Sequence, residues 1–297
     1  MNDREIRNGW RAFFCSLGAL LILTACHKES APASAPEQTF MVNGVVKELE
    51  PDGKTVVIQH EAISNYMAAM TMPFEVHDTN LLRGLKPGDA IAFHLVVTSA
   101  EGWIDSITPR QKPAAPAPAP APVHFTHAVA PLDEGDSLPD FHFTNELGQA
   151  VNLSQYKGGV LAFTFFFTSC PYPNFCPRLT GNFGEAAAQL HKMPGAPARW
   201  QLLSISFDPK TDTPQRLQTY AENVRYDPAH WSFLTGDPEQ IRGLAELFGE
   251  DFWTEGGSIS HNFRTVVVDA GGRVRKIFQG NNWSSADLVQ EIVKASK

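Results

Sequence analysis

The sequence predicts two domains, a small closed all-β barrel followed by an α/β domain. Three observations predict this. Two low-complexity stretches rich in Ala, Pro and Ser, Lys28–Gln38 and Pro113–Pro122, set residues 40–109 apart from residues 132–297. Between them, short apolar segments bounded by turn residues follow one another with no long helical period. Beyond the second stretch, strand-like and helix-like segments alternate, a pattern that calls for a central sheet covered by helices.

The N-terminus is a leader. Arg4, Arg7 and Arg11 form a basic region, and Ala12–Ala25 an apolar core shorter than the roughly 20 residues a membrane span needs. Leu23-Thr24-Ala25-Cys26 resembles a bacterial lipobox. The resemblance implies removal of residues 1–25, lipidation of Cys26 and a position in the cell envelope, lipid-anchored and facing the periplasm. Cys15 leaves with the leader, and residues 26–39 form a flexible tether. A plain signal peptide or a short anchor with an incidental cysteine is the alternative. The formal net charge of −8 argues against nucleic acid as a partner, because phosphate binding needs clustered Lys and Arg.

In the first domain the candidate strands are Phe40–Leu49, Thr55–His60, Met70–Val76, Ala90–Thr98 and Gly102–Thr108, with turns at Pro51-Asp52-Gly53, Pro87-Gly88-Asp89 and Glu101-Gly102. Five strands in so short a piece point to a barrel of the OB type. Its chemical feature runs from His60 to Met72. Met70 and Met72 lie two residues apart and share one face of a strand. Two thioethers and an imidazole on one face suit Cu(I) or Ag(I), since soft ligands select soft ions. Core filling is what most methionines do, and it is the competing reading. The Gly44-Val45-Val46-Lys47 opening, the position of His60 and Met70-Thr71-Met72 resemble the periplasmic CusF family of Cu(I)/Ag(I) metallochaperones over Val42–Ile107. The resemblance implies His60, Met70 and Met72 as ligands. Where that family carries a tryptophan over the metal, this chain has Met67, either a further thioether ligand or the mark of a more open site.

Residues 110–131 are the Pro/Ala linker, an extended and semi-rigid spacer. In the second domain the candidate strands are Phe141–Thr144, Gly159–Phe167, Gln201–Phe207, Ser232–Leu234, Phe263–Asp269 and Arg273–Phe278. The candidate helices lie near Arg178–Lys192, Thr213–Asn223, Pro238–Phe248 and Ser285–Ala295. Cys170 and Cys176 fall at the first strand-to-helix junction, the arrangement of a thioredoxin-like fold. A helix N-terminus there favours thiolate. Five residues separate the cysteines, and Pro171, Pro173 and Pro177 stiffen the loop. So wide a loop suits a metal with a third ligand better than rapid dithiol exchange; a permanent disulfide is the bland alternative.

Four motifs in order, Thr168-Ser169-Cys170-Pro171, Cys176-Pro177, Ser206 through Pro214, and Ser260-His261 before Val266-Val267-Val268-Asp269, resemble the Sco/SenC family over Leu138–Lys297. Members deliver copper to the binuclear copper site of cytochrome c oxidase or reduce its cysteines. The resemblance implies Cys170, Cys176 and His261 as copper ligands; His261 itself immediately precedes an apolar strand, which places it in a loop at a sheet edge. The family's usual pair is Cys-x-x-x-Cys, so this loop carries two inserted residues. Asp208 and Asp212 read as turn and helix-cap residues, with a supporting or partner-docking role for Asp208 as the alternative.

The expected function is thus a membrane-anchored metallochaperone for Cu(I)/Cu(II) whose partner is an exported cuproprotein, a cytochrome c oxidase subunit foremost, with the barrel as a second copper site open to Ag(I). The alternatives are a thiol-disulfide reductase using Cys170 and Cys176 on a target's copper-site cysteines, a copper or silver tolerance buffer, and, more remotely, a peroxidase.

Overall fold

Residues 37–110, 130–255 and 258–297 are described by the structure, a computed structural model. The predicted leader, Cys26 and most of the Pro/Ala linker lie outside them.

Five antiparallel strands build the first domain: β1 (Gln38–Leu49), β2 (Thr55–His60), β3 (Met70–Glu75), β4 (Ala90–Val97) and β5 (Gly102–Pro109). Their order is β3-β2-β1-β4-β5. A parallel bridge between Val76, just past β3, and Ile104 of β5 brings the two edges together, so the sheet closes as the OB topology requires. Alternation along each strand sends Val46, Ile58, Phe74, Phe93 and Ile104 inward, all completely buried. Gly44 is required where β1 meets β2, because a Cβ there would lie 2.4 Å from the Ile58 side chain.

The second domain follows the sequence expectation with three additions. Its strands are β6 (His142–Asn145), β7 (Ala150–Asn152), β8 (Val160–Phe166), β9 (Trp200–Ser206), β10 (Trp231–Thr235), the hairpin β11 (Phe252–Glu255) and β12 (Ser258–His261), β13 (Arg264–Val268) and β14 (Val274–Gln279). The helices are α1 (Cys176–Lys192), α2 (Pro214–Asn223), α3 (Pro238–Leu247) and α4 (Ser285–Ala295). Seven strands form one sheet in the order β14-β13-β8-β9-β10-β6-β7. β8, β9 and β10 are parallel and the outer strands antiparallel. β8 is buried at every position, as expected of a parallel strand covered on both faces.

Helix starts obey their caps. Thr213 and Ser284 each accept from a backbone N–H of the first turn, and Pro214 and Pro238 occupy first-turn positions where no donor is needed. β7, β11 and β12 are the unpredicted elements. Each is three or four residues long, too short for period-two alternation to register. Each domain has its own core, yet the described residues form one compact unit.

Candidate metal centre

The loop after β8 is held from beneath. Asp212, fully buried, accepts from the Thr168 backbone N–H at 3.0 Å, from the Thr168 hydroxyl and from the Ser206 hydroxyl at 2.6 Å. Arg216, one turn into α2, donates to the Thr168 and Ser169 hydroxyls at 2.7 and 3.0 Å. Asp212 is therefore no helix cap, a role that falls to Thr213; it ties β9, α2 and the approach to Cys170 together.

Cys170 follows, partly buried, and Cys176 is the first residue of α1 and completely buried. The helix begins two residues earlier than its sequence pattern indicates, and its Cys176 backbone N–H points at the Cys170 sulfur. Neither cysteine is in a disulfide. The hydrogen bond from the Cys176 thiol, opposed by burial and aided by that backbone N–H, lowers Cys170 to about 7. Burial pushes Cys176 well up. The helix N-terminus thus favours thiolate at the cysteine before it rather than the one inside it. In the reduced, metal-free chain, iodoacetamide should alkylate Cys170 with a half-maximal rate near pH 7, rising with pH as thiolate forms. A midpoint at or above about 8.5, the value of an ordinary thiol, would contradict this environment.

His261 arrives from the far end of the sequence. It is the last residue of β12, paired with Phe252, and its side chain is 3% exposed rather than in an open loop. Phe207 and Phe263 pack on its ring, each with centroids 4.6 Å away. Its Nε2 lies 3.9 Å from the Cys176 sulfur. On the other side, Nδ1 meets the Asn262 carbonyl and Glu250 Oε1, the latter at 3.0 Å. A carbonyl can only accept, so Nδ1 carries the proton and Nε2 turns its lone pair toward the thiols. Burial lowers His261 to about 4 and pushes Glu250 well above the usual carboxyl range, so the two meet as neutral groups rather than as an ion pair. Two sulfurs and one imidazole nitrogen therefore converge from β8–α1 and from β12. Glu250, eleven residues before the histidine, had no sequence signal, because only the β11–β12 hairpin returns the chain to it.

In the barrel, His60 and Met70 are direct cross-strand partners, and Met72 lies opposite Ile58 on the same face. His60 donates from Nδ1 to the Glu61 carbonyl at 2.7 Å, which places the ring's lone pair on Nε2. Met67 sits in the preceding turn, held by a two-way backbone pairing with Ile63. All three methionines are buried and belong to the barrel core, yet they also wall a cavity that Cys170 and His261 close from the other domain. β3 and β12 lie against one another there.

Fold and site together define a thioredoxin-like protein with a soft dithiol-imidazole centre, joined to a methionine-bearing barrel. The sequence model of the SCO1/SenC family matches residues 130–297, and the model described as copper binding periplasmic protein CusF matches residues 39–109. The chain belongs to the SCO1/SenC family and carries an N-terminal CusF-like domain. It is 29% identical to an SCO1 protein homolog of Bacillus subtilis over 167 residues, 52% of this chain and 81% of that protein. It is also 29% identical to an SCO2-like protein of Rickettsia felis over 168 residues, 53% and 75% of the two chains. Among solved structures it is similar to copper-bound ScoI of Arabidopsis thaliana, 23% identical with a TM-score of 0.47, covering 55% of this chain and 98% of that one. Copper is the metal that the CusF family model brings to the chain.

Proposed function

We propose that the protein is an envelope copper metallochaperone, with copper as its cargo. The convergence of Cys170, Cys176 and the Nε2 of His261 carries the reading. Two thiolates give Cu(I) soft anionic ligands, and the imidazole nitrogen extends the set to Cu(II). The neutral His261 offers its lone pair throughout the physiological pH range. His60, Met70 and Met72, with Met67 as a further thioether, make a second site selective for Cu(I) or Ag(I), because thioethers bind hard divalent ions poorly.

The receiving partner is an exported cuproprotein, with a cytochrome c oxidase subunit as first choice, and a lipid on Cys26 holds the chain at the periplasmic face. No described helix is long and apolar enough to cross a membrane. The low-lying thiolate of Cys170 favours a second reading, reduction of a target's copper-site cysteines, which competes for the same two sulfurs because an oxidised pair cannot supply two thiolates.

Anaerobic titration of the full reduced chain should find two Cu(I) per chain. Met70→Leu with Met72→Leu should lower this to one. Met-to-Leu exchange conserves volume and costs little stability, so an unchanged stoichiometry of two would assign these methionines to the core alone.

A further inference from the structure

Between the two cysteines the chain carries Pro171-Tyr172-Pro173-Asn174-Phe175, and these residues do not simply span a gap. Tyr172 points away from the thiols and is buried in the barrel's core, 1% exposed, with its ring edge-to-face on Phe74 at 5.8 Å. Its hydroxyl donates to the Gly102 carbonyl at 2.9 Å. Asn174, 2% exposed, brackets the same residue: Gly102 N–H donates to its Oδ1 at 2.7 Å, and its Nδ2 donates to the Gly102 carbonyl at 2.8 Å. Gly102 opens β5 and has no room for a side chain, since a Cβ there would lie 2.6 Å from the Tyr172 ring. Two further contacts flank this point. Tyr66 donates to the Pro171 carbonyl at 3.2 Å, and Arg178 in α1 pairs with Glu75 of β3 at 2.6 Å. The cavity that follows from this docking has Met67, Met70 and Met72 on one wall and Cys170 and His261 on the other.

We propose that Tyr172 and Asn174 are a latch that docks the barrel on the dithiol loop through Gly102, so that Cu(I) passes from the methionines to Cys170 inside one shared cavity. The inference rests on the copper reading above and adds a role for the lengthened cysteine spacing. Transfer is ligand exchange: copper–thioether bonds break as copper–thiolate bonds form. Copper stays in the +1 state, and each thiol that binds releases its proton to solvent. A tether alone raises the domains' effective concentration. The latch also fixes their orientation, putting donor and acceptor sulfurs on facing walls.

The test uses the full reduced chain with Gly102→Ala and, independently, Asn174→Ala, which lies outside the barrel and keeps the test valid if the glycine variant misfolds. NMR relaxation should show the wild-type barrel and α/β domain tumbling with one correlation time, and the barrel of each variant tumbling faster. Asn174→Ala removes two hydrogen bonds, which should shift the docking equilibrium roughly 25-fold. When one equivalent of Cu(I) is added with bicinchoninate as a soluble trap, the captured fraction should rise in both variants. Wild-type domains that tumble independently, or variants that tumble and lose copper as wild type does, would overturn the latch. Copper stoichiometry in the same samples separates the two readings. Independent tumbling with two bound coppers defeats the latch alone, whereas a docked wild type with no thiolate-bound copper defeats the copper reading alone.

Discussion

Replacing Cys170 and Cys176 together with alanine should lower the Cu(I) bound by the full reduced chain from two equivalents to one and abolish thiolate-to-copper charge-transfer absorption. The effect is the largest expected of any change in the α/β domain, because both anionic ligands go at once. His261 would remain as one neutral donor in an apolar pocket of Phe207 and Phe263. A monovalent ion in that pocket, without compensating anions, bears the cost of burying an unpaired charge. The barrel should keep its copper, since His60, Met70 and Met72 belong to a separate strand pair. A double variant that still binds two equivalents would remove Cys170 and Cys176 from the proposed ligand set.

Asp212→Ala should produce the largest loss of stability among polar substitutions near the site, about 3–5 kcal/mol, because three hydrogen bonds to one buried acceptor go at once. The carboxylate accepts from Thr168 twice and from Ser206, and Arg216 lies 3.5 Å away. Alanine leaves the Thr168 N–H and hydroxyl and the buried Ser206 hydroxyl without that acceptor and fills none of the space. For a domain of this size the loss should appear as a fall in Tm of about 6–20 °C. Asp212→Asn should restore only part of it, since its amide NH2 cannot accept. A shift below about 2 °C for Asp212→Ala would show that the Thr168–Cys170 loop is held by other means.

Much of the candidate site is legible before folding because its signals are local. Met70-Thr71-Met72 on one strand, and a cysteine pair between an apolar run and a helix, are patterns of spacing and residue type. His261 was legible only through resemblance. Its neighbours Ser258–Asn262 look like a loop, and the β11–β12 hairpin that buries it is too short to announce itself. Asp212 differs from its sequence reading for a related reason. An aspartate before Thr-Pro has a sound local use as a turn or cap, and only the return of β8 beside β9 gives it Thr168 to hold. Glu250 and Gly102 carry no local mark of their roles at all.

The sequence by itself determined two domains of different class, the strands and helices whose periodicity is long enough to read, and the soft character of both candidate ligand groups. Those properties follow from hydrophobic period, turn residues and side-chain chemistry, which act over a few residues. Only the tertiary structure decided which groups meet. It set the tautomer and burial of His261, placed the lower-lying thiolate at Cys170, and turned Tyr172 and Asn174 outward onto Gly102 of the barrel. The pairings of Tyr172 and Asn174 with Gly102, and of Cys176 with His261, join residues 70 to 85 positions apart. They exist only once two separately patterned sheets have packed, and no local pattern encodes them.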